Sequence, residues 1–174
     1  ENDSDYILPF PIQINGREQQ VTLYGIIDRV DEVLTHDERI ISRIVDYKTG
    51  GDSVIFKEID QVFAPNTENK AMVQTLFYAY VFEQKTGRKQ LEPHLYVARK
   101  MREEGTLFTG KEGILTNEFL AFQKENFVKF LRDTLEEIFN PEIPFRHNPD
   151  AMIYPSDPYT LFYREASKWP EVTV

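Results

Sequence analysis

With 174 residues, a net charge of −9 and no cysteine, the chain is long enough for one domain with a real core, and it excludes disulfides, zinc ribbons and a cysteine-ligated iron–sulfur cluster within this stretch. A hydrophobic share of 41% with 13% aromatics excludes disorder, and no apolar run approaches the roughly 20 residues of a membrane span. The acidic balance argues against coating nucleic acid by charge alone. It argues less against an enzyme that gathers carboxylates around divalent cations, because the metal supplies positive charge.

The first residue is Glu1 rather than Met, so the stretch reads as a cut-out or processed piece of a larger protein. The absence of cysteine fits a reducing cytoplasm.

"DYILPFPIQI" opens the chain, and its two prolines mark an edge strand. Asn15-Gly16 is a hairpin turn signal. "QQVTLYGIIDRVDEVL" then reads as one long strand, "THDE" as a turn, and "RIISRIVDY" as a strand antiparallel to it. The first 50 residues form a three-stranded meander on this reading, ended by "KTGG". Residues 52–69 read as irregular. Helical spacing of Met72, Leu76, Tyr80 and Val81 predicts a helix from about Asn69 to Lys85, with Gly87 as its stop. "PHLYVAR" predicts a further strand, and residues 101–115 a loop or hairpin with three glycines. A second helix, Asn117 to Phe139, carries Leu120, Phe127, Leu131, Leu135 and Ile138 as its apolar stripe. The tail from 141 to 174 is rich in proline and aromatics. The order βββ-α-β-α predicts an α/β domain with a mixed sheet spanning 1–174.

Asp28 and Asp46 stand in apolar strand sequence, where charge is disfavoured. Asp46 and Lys48 share a strand face because they are two residues apart. Asp28 lies on the preceding strand, which should pair with theirs, so the three can converge. Two hard oxygen ligands suit Mg²⁺ or Mn²⁺. A neighbouring lysine can orient or deprotonate water, or neutralise charge developing on phosphorus. Context carries this signal, not the tripeptide: Glu68-Asn69-Lys70 and Glu83-Gln84-Lys85 have the same form but fall at or in a helix, where i and i+2 diverge.

These stretches resemble the PD-(D/E)XK nuclease superfamily, and within it the RecB/AddB-type exonuclease domains. "GIIDRVD" is similar to that family's G-x-x-D-R-x-D strand, and "IVDYKTG" to its I-x-D-Y-K-[ST] strand. "QTLFY" supplies Gln74 and Tyr78 for its Q-x-x-x-Y helix. The resemblance implies a restriction-endonuclease-like fold, a mixed β-sheet flanked by helices. It implies Asp28 and Asp46 as metal ligands with the Tyr47 carbonyl beside them, Lys48 as the catalytic lysine, and Gln74 and Tyr78 supporting the site or touching the DNA backbone. It implies a metal-dependent DNA nuclease at the C-terminal end of a larger helicase–nuclease or repair protein, acting on DNA without sequence preference. A helicase domain or subunit is the implied partner.

The family's upstream acidic or histidine ligand is missing unless the acidic stretch Glu1 to Asp5 stands in for it. Its C-terminal cluster cysteines are also missing, and Tyr154, Tyr159, Phe162 and Tyr163 can close that region by apolar packing instead. The alternative is a catalytically inactive nuclease-like domain used for DNA handling or protein contact, against which the motif set is complete. A plain interaction domain would have Asp28 and Lys48 diverging.

Several residues carry blander expectations. Arg29 and Asp31 match the signature but face away from Asp28, as a structural ion pair would. His36, His94 and His147 lie in loop-like sequence and are structural or solvated. Arg99, Lys100 and Arg102 are phosphate candidates. Removing Asp46 should leave the fold intact or steadier without metal, by relieving acidic repulsion.

Overall fold

The computed structural model describes residues 5–50, 70–100, 106–107, 109–110, 113–114 and 117–145. The chain divides into two compact units, residues 1–140 and 141–174. Of the second, only the turn at 141–145 is described. The tail aromatics, His147, the start Glu1–Ser4 and residues 51–69 therefore lie outside the described residues.

Strand β1 (Asp5–Ile14) folds back on β2 (Arg17–Ile26) through Asn15 and Gly16, whose φ values of 50° and 75° are the left-handed pair that a two-residue hairpin turn needs. Along β1, Tyr6, Phe10, Ile12 and Ile14 are buried while Ile7, Pro9 and Pro11 are exposed, so the period of two sets its inner face.

The sequence predicts one strand through residues 19–34, but the chain bends at Ile27–Asp28 and changes sheets. Beyond the bend, β3 (Arg29–Leu34) pairs with β4 (Ile40–Lys48) in a four-stranded sheet of order β3-β4-β5-β6. The cause is a change of partner. The β1 ladder runs to Asp5↔Ile26, and the β4 ladder begins at Arg29↔Val45. The expected meander is thus a hairpin followed by two strands of a different sheet. Strand β5 (Leu91–Val97) lies parallel to β4, and β6 (Thr106–Leu107) antiparallel to β5. A small hairpin, β7 (Thr109–Gly110) and β8 (Gly113–Ile114), follows.

A parallel pair needs a crossover, and helix α1 (Lys70–Thr86) lies in it. Gly87, with φ 72°, stops this helix, and its N–H reaches back to the Glu83 carbonyl at 2.8 Å. Helix α2 (Asn117–Phe139) has the predicted bounds. On it Phe127 is buried and Leu131 and Leu135 pack against the core, whereas Ile138 is exposed. Leu120's side chain lies outside the described set. No described helix is long and apolar enough to cross a membrane.

Helix α1 separates two apolar clusters. One joins Phe10, Ile12, Leu23, Ile27 and Ile44 to Ala79 and Phe82; the other joins Met72 and Leu76 to Leu95, Val97 and Phe127. The second cluster takes the N-terminal half of the helix and the first its C-terminal half, and α1 sits over the sheet face that carries Ile44.

The opposite sheet face holds a polar row. Arg43 Nε donates to Glu92 Oε1 at 2.8 Å, and His94 Nδ1 lies 3.5 Å from the same oxygen. His94 is not in a loop: it is a buried member of β5, its ring 4.5 Å from that of Tyr96. His94 and Arg43 together hold the Glu92 carboxyl below its ordinary value. A carboxylate whose folded pKa is lowered contributes stability that is complete above the unfolded value of 4.5 and is lost as pH falls through the lower folded value. Glu92→Gln should therefore flatten the acid side of the stability profile. Thermal midpoints taken downward from above pH 4.5 should fall less for the variant than for the parent, and parallel curves would contradict this.

Candidate active site

Strand alternation puts Ile44, Asp46 and Lys48 on the face beneath α1. Asp46 is 2% exposed. Its Oδ2 lies 2.6 Å from Lys48 Nζ. The same Nζ donates to Gln74 Oε1 at 2.9 Å, and Gln74 Nε2 donates to the Tyr78 hydroxyl at 2.7 Å. Gln74 and Tyr78, one helical turn apart, share the face of α1 turned to the sheet. Four of the five predicted side chains thus form one continuous row, Asp46–Lys48–Gln74–Tyr78. The amide of Gln74 is oriented from both ends, and Lys48 Nζ is held between an acid and a carbonyl oxygen.

Room for this row comes from Gly25 on β2. A Cβ there would stand 3.1 Å from Tyr78 Cε1 and 3.4 Å from Phe77 Cε1. The first glycine of the "GIIDRVD" stretch is therefore a packing requirement of Tyr78.

Asp28 occupies the bend between β2 and β3. Its Oδ2 accepts the N–H of Tyr47 at 2.9 Å. Had the β3–β4 ladder continued, that amide would face Ile27; the side chain fills the place of the absent backbone partner. This answers why an acid interrupts an apolar strand. It also ties Asp28 to the residue next to Asp46; the Asp28 side chain is exposed and that of Asp46 buried.

The expected relief of acidic repulsion on removing Asp46 has a cost set against it. Asp46 is paired to Lys48, and its loss takes the carboxylate from that ammonium and leaves it the Gln74 carbonyl oxygen and solvent.

On the other face, Arg29 Nε pairs with Asp31 Oδ1 at 2.7 Å, the structural ion pair that the sequence allows. Asp31, then the Tyr47 hydroxyl, raise the already high pKa of this guanidinium, so it is a permanent cation. Sequence reasoning missed two contacts there. Arg29 Nη1 also donates to the Tyr47 hydroxyl at 3.3 Å, and the Tyr47 ring stacks on Tyr96 with centroids 5.5 Å apart. The only signal for them was that Arg29 and Tyr47 fall on the same face once the register is known. Of the basic side chains near the end of α1, Arg88 pairs with Glu32, and Lys85 lies 5.1 Å above the Tyr6 ring. Arg99 is exposed; the side chains of Lys100 and Arg102 lie outside the described set.

Among the described residues no three acidic or histidine side chains gather as a metal cluster. The donors present are two carboxylates on adjoining segments with the Tyr47 peptide between them. Hard oxygens in small number fit Mg²⁺ or Mn²⁺, which bind through few protein ligands. The row of acid, lysine and amide suits a reaction in which negative charge develops on oxygen.

A mixed sheet with antiparallel outer pairs and a central parallel pair, flanked by two helices, is an α/β fold of the restriction-endonuclease-like class. The chain belongs to the PD-(D/E)XK nuclease superfamily, whose family model matches residues 3–151. The superfamily is one of nucleases, hydrolytic enzymes that typically use divalent metal ions. No curated protein matches the chain, and no solved structure does.

Proposed function

We propose that this chain is a RecB/AddB-type nuclease domain of a recombination or repair protein, hydrolysing DNA phosphodiester bonds, as an exonuclease, with Mg²⁺ or Mn²⁺. The observation that carries this reading is the row Asp46–Lys48–Gln74–Tyr78, with Asp28 bound to the backbone N–H of Tyr47, the residue between Asp46 and Lys48. Asp28 and Asp46, with the Tyr47 carbonyl, would hold the ion. When bound, it would supply positive charge against the phosphate for attack by water.

The remaining work falls to the chain. Lys48 holds its amine at the mouth of the site, where it takes up charge developing on phosphate oxygens or orients the attacking water. Asp46 and Gln74 keep Nζ from swinging away. Tyr78 fixes the amide of Gln74, so that its oxygen and not its nitrogen faces the lysine. No base-reading motif accompanies the site, which agrees with sequence-independent contacts to phosphate. A helicase domain or subunit that delivers strand ends fits such a role.

The test is degradation of linear DNA by the full-length protein. Mn²⁺ should support it, a chelator should stop it, and Asp46→Ala should lose it. Equal activity of Asp46→Ala and the parent would end the catalytic assignment and leave the reading of a nuclease-like domain used for DNA handling.

A further inference from the structure

Residues 28 and 29 are neighbours in the chain, and both grip Tyr47, one at its backbone in the plane of the ladder and the other at its side chain on one sheet face. The Asp28 carboxylate accepts the backbone N–H of Tyr47 at 2.9 Å. The Arg29 guanidinium donates to the hydroxyl of Tyr47 at 3.3 Å. Chain connectivity between Asp28 and Arg29 closes a ring: carboxylate, amide, Cα, phenol, guanidinium, backbone.

The phenol is held from a second side as well. Its ring stacks on Tyr96 at 5.5 Å with an interplanar angle of 23°. Tyr47 and Tyr96 are register partners in the parallel pair, so the stack follows from the ladder itself. Arg29 is in turn fixed by Asp31 at 2.7 Å. Each contact removes a degree of freedom. The stack and the guanidinium set the Cα–Cβ direction of Tyr47. That direction, through the tetrahedral Cα, constrains where its N–H points and how the peptide joining Asp46 to Tyr47 is tilted. That N–H is the hydrogen-bond donor to the Asp28 carboxylate.

We propose that Arg29 and the Tyr47 side chain are positioning residues that set the Asp28 carboxylate, and with it the site for a divalent cation, from the opposite face of the sheet. The inference rests on the metal-dependent nuclease reading for the identity of the ion, but the clamp itself is a statement about Asp28 and Tyr47. Arg29 and Tyr47 are both exposed, at 56% of the Arg29 side chain and 47% of Tyr47, so neither is a core residue whose loss would collapse the domain. Groups that orient a metal ligand typically change affinity by roughly 10–100-fold when removed.

The experiment uses Arg29→Met and Tyr47→Phe in the full-length protein. The first removes the guanidinium and keeps the stem. The second removes only the hydroxyl and keeps the stack. Arg39→Met, which breaks the exposed Arg39–Asp37 pair, is the control. Two quantities are measured: hydrogen exchange of the Tyr47 amide without metal, and the Mn²⁺ dissociation constant by calorimetry. Both variants should speed exchange of that amide by roughly tenfold and weaken Mn²⁺ by roughly 10-fold, with global stability and the control unchanged. Unchanged exchange at Tyr47 overturns the clamp. Faster exchange with unaltered Mn²⁺ affinity overturns it too, since the contact would then be architectural. A parent protein that binds no Mn²⁺ overturns the nuclease reading instead, and the exchange result then decides the clamp alone.

Discussion

Lys48→Met is expected to slow DNA degradation by roughly 10²–10⁴-fold while Mn²⁺ binding holds or tightens. The sign of the binding change follows from charge. Lys48 Nζ lies 2.6 Å from Asp46 Oδ2 and competes with any cation for that oxygen. Removing the ammonium removes the competitor. Asp46→Asn should behave in the opposite way, losing activity and metal affinity together. The fold responds as well. Lys48→Met leaves the carboxylate of Asp46 buried without its ammonium, a change that costs about 3–5 kcal/mol for fully buried pairs. Lys48 keeps 22% of its side chain exposed, so solvent screening reduces this to about 1–3 kcal/mol. Urea denaturation without metal, beside calorimetric Mn²⁺ titration and a rate on linear DNA, measures all three. A Lys48→Met protein that has lost metal binding but is otherwise folded would move the lysine from chemistry to architecture.

Both helices and the first hairpin were legible in the sequence because their signals are local. Asn15-Gly16 sets its own backbone, Gly87 stops α1, and Asn117 to Phe139 repeats at helical spacing. The bend at Asp28 was not legible. Ile26, Ile27 and Val30 continue β-type sequence straight across it, and no residue there forbids an extended strand. The break comes from an exchange of pairing partners, a non-local event that composition does not encode. His94 drew two readings, a strand member in "PHLYVAR" and a histidine in loop-like sequence beside Pro93; the burial of Leu91, Leu95 and Val97 keeps the segment in the sheet and makes the strand reading the one that holds. Ile138 fits the stripe of α2 by spacing and is still exposed, because the helix outruns what it packs against.

The row was legible as residues that could meet and illegible as a network. Strand alternation alone brings Asp46 and Lys48 together, and helix spacing brings Gln74 to Tyr78. That Lys48 joins the two pairs depends on how α1 lies across β4. The same holds for Asp28. Its nearness to the strand of Asp46 was readable, but it stands in the bend between two strands and not within one, and its structural duty at the Tyr47 amide follows from that bend. An acid with that duty is retained in position before any cation arrives, which favours a preformed site.

Gly25→Ala tests whether the helix is held at the distance this network needs. Gly25 has no left-handed φ, so alanine suits its backbone, and only space opposes it. The added Cβ would stand 3.1 and 3.2 Å from two carbons of the Tyr78 ring. The ring must give by a few tenths of an ångström, and its hydroxyl is the acceptor that orients Gln74 at 2.7 Å. A loss of about 1–3 kcal/mol is expected from overpacking. On the proposed function, activity should fall by roughly tenfold or more through kcat, since Lys48 loses a fixed partner. Trimming the ring should remove the conflict. In a Tyr78→Ala background, Gly25→Ala should cost little, giving a coupling of about 1 kcal/mol or more in a double-mutant cycle. Additivity within about 0.5 kcal/mol would mean that Gly25 and Tyr78 do not meet as described, and that the glycine of this strand serves something other than the row above it.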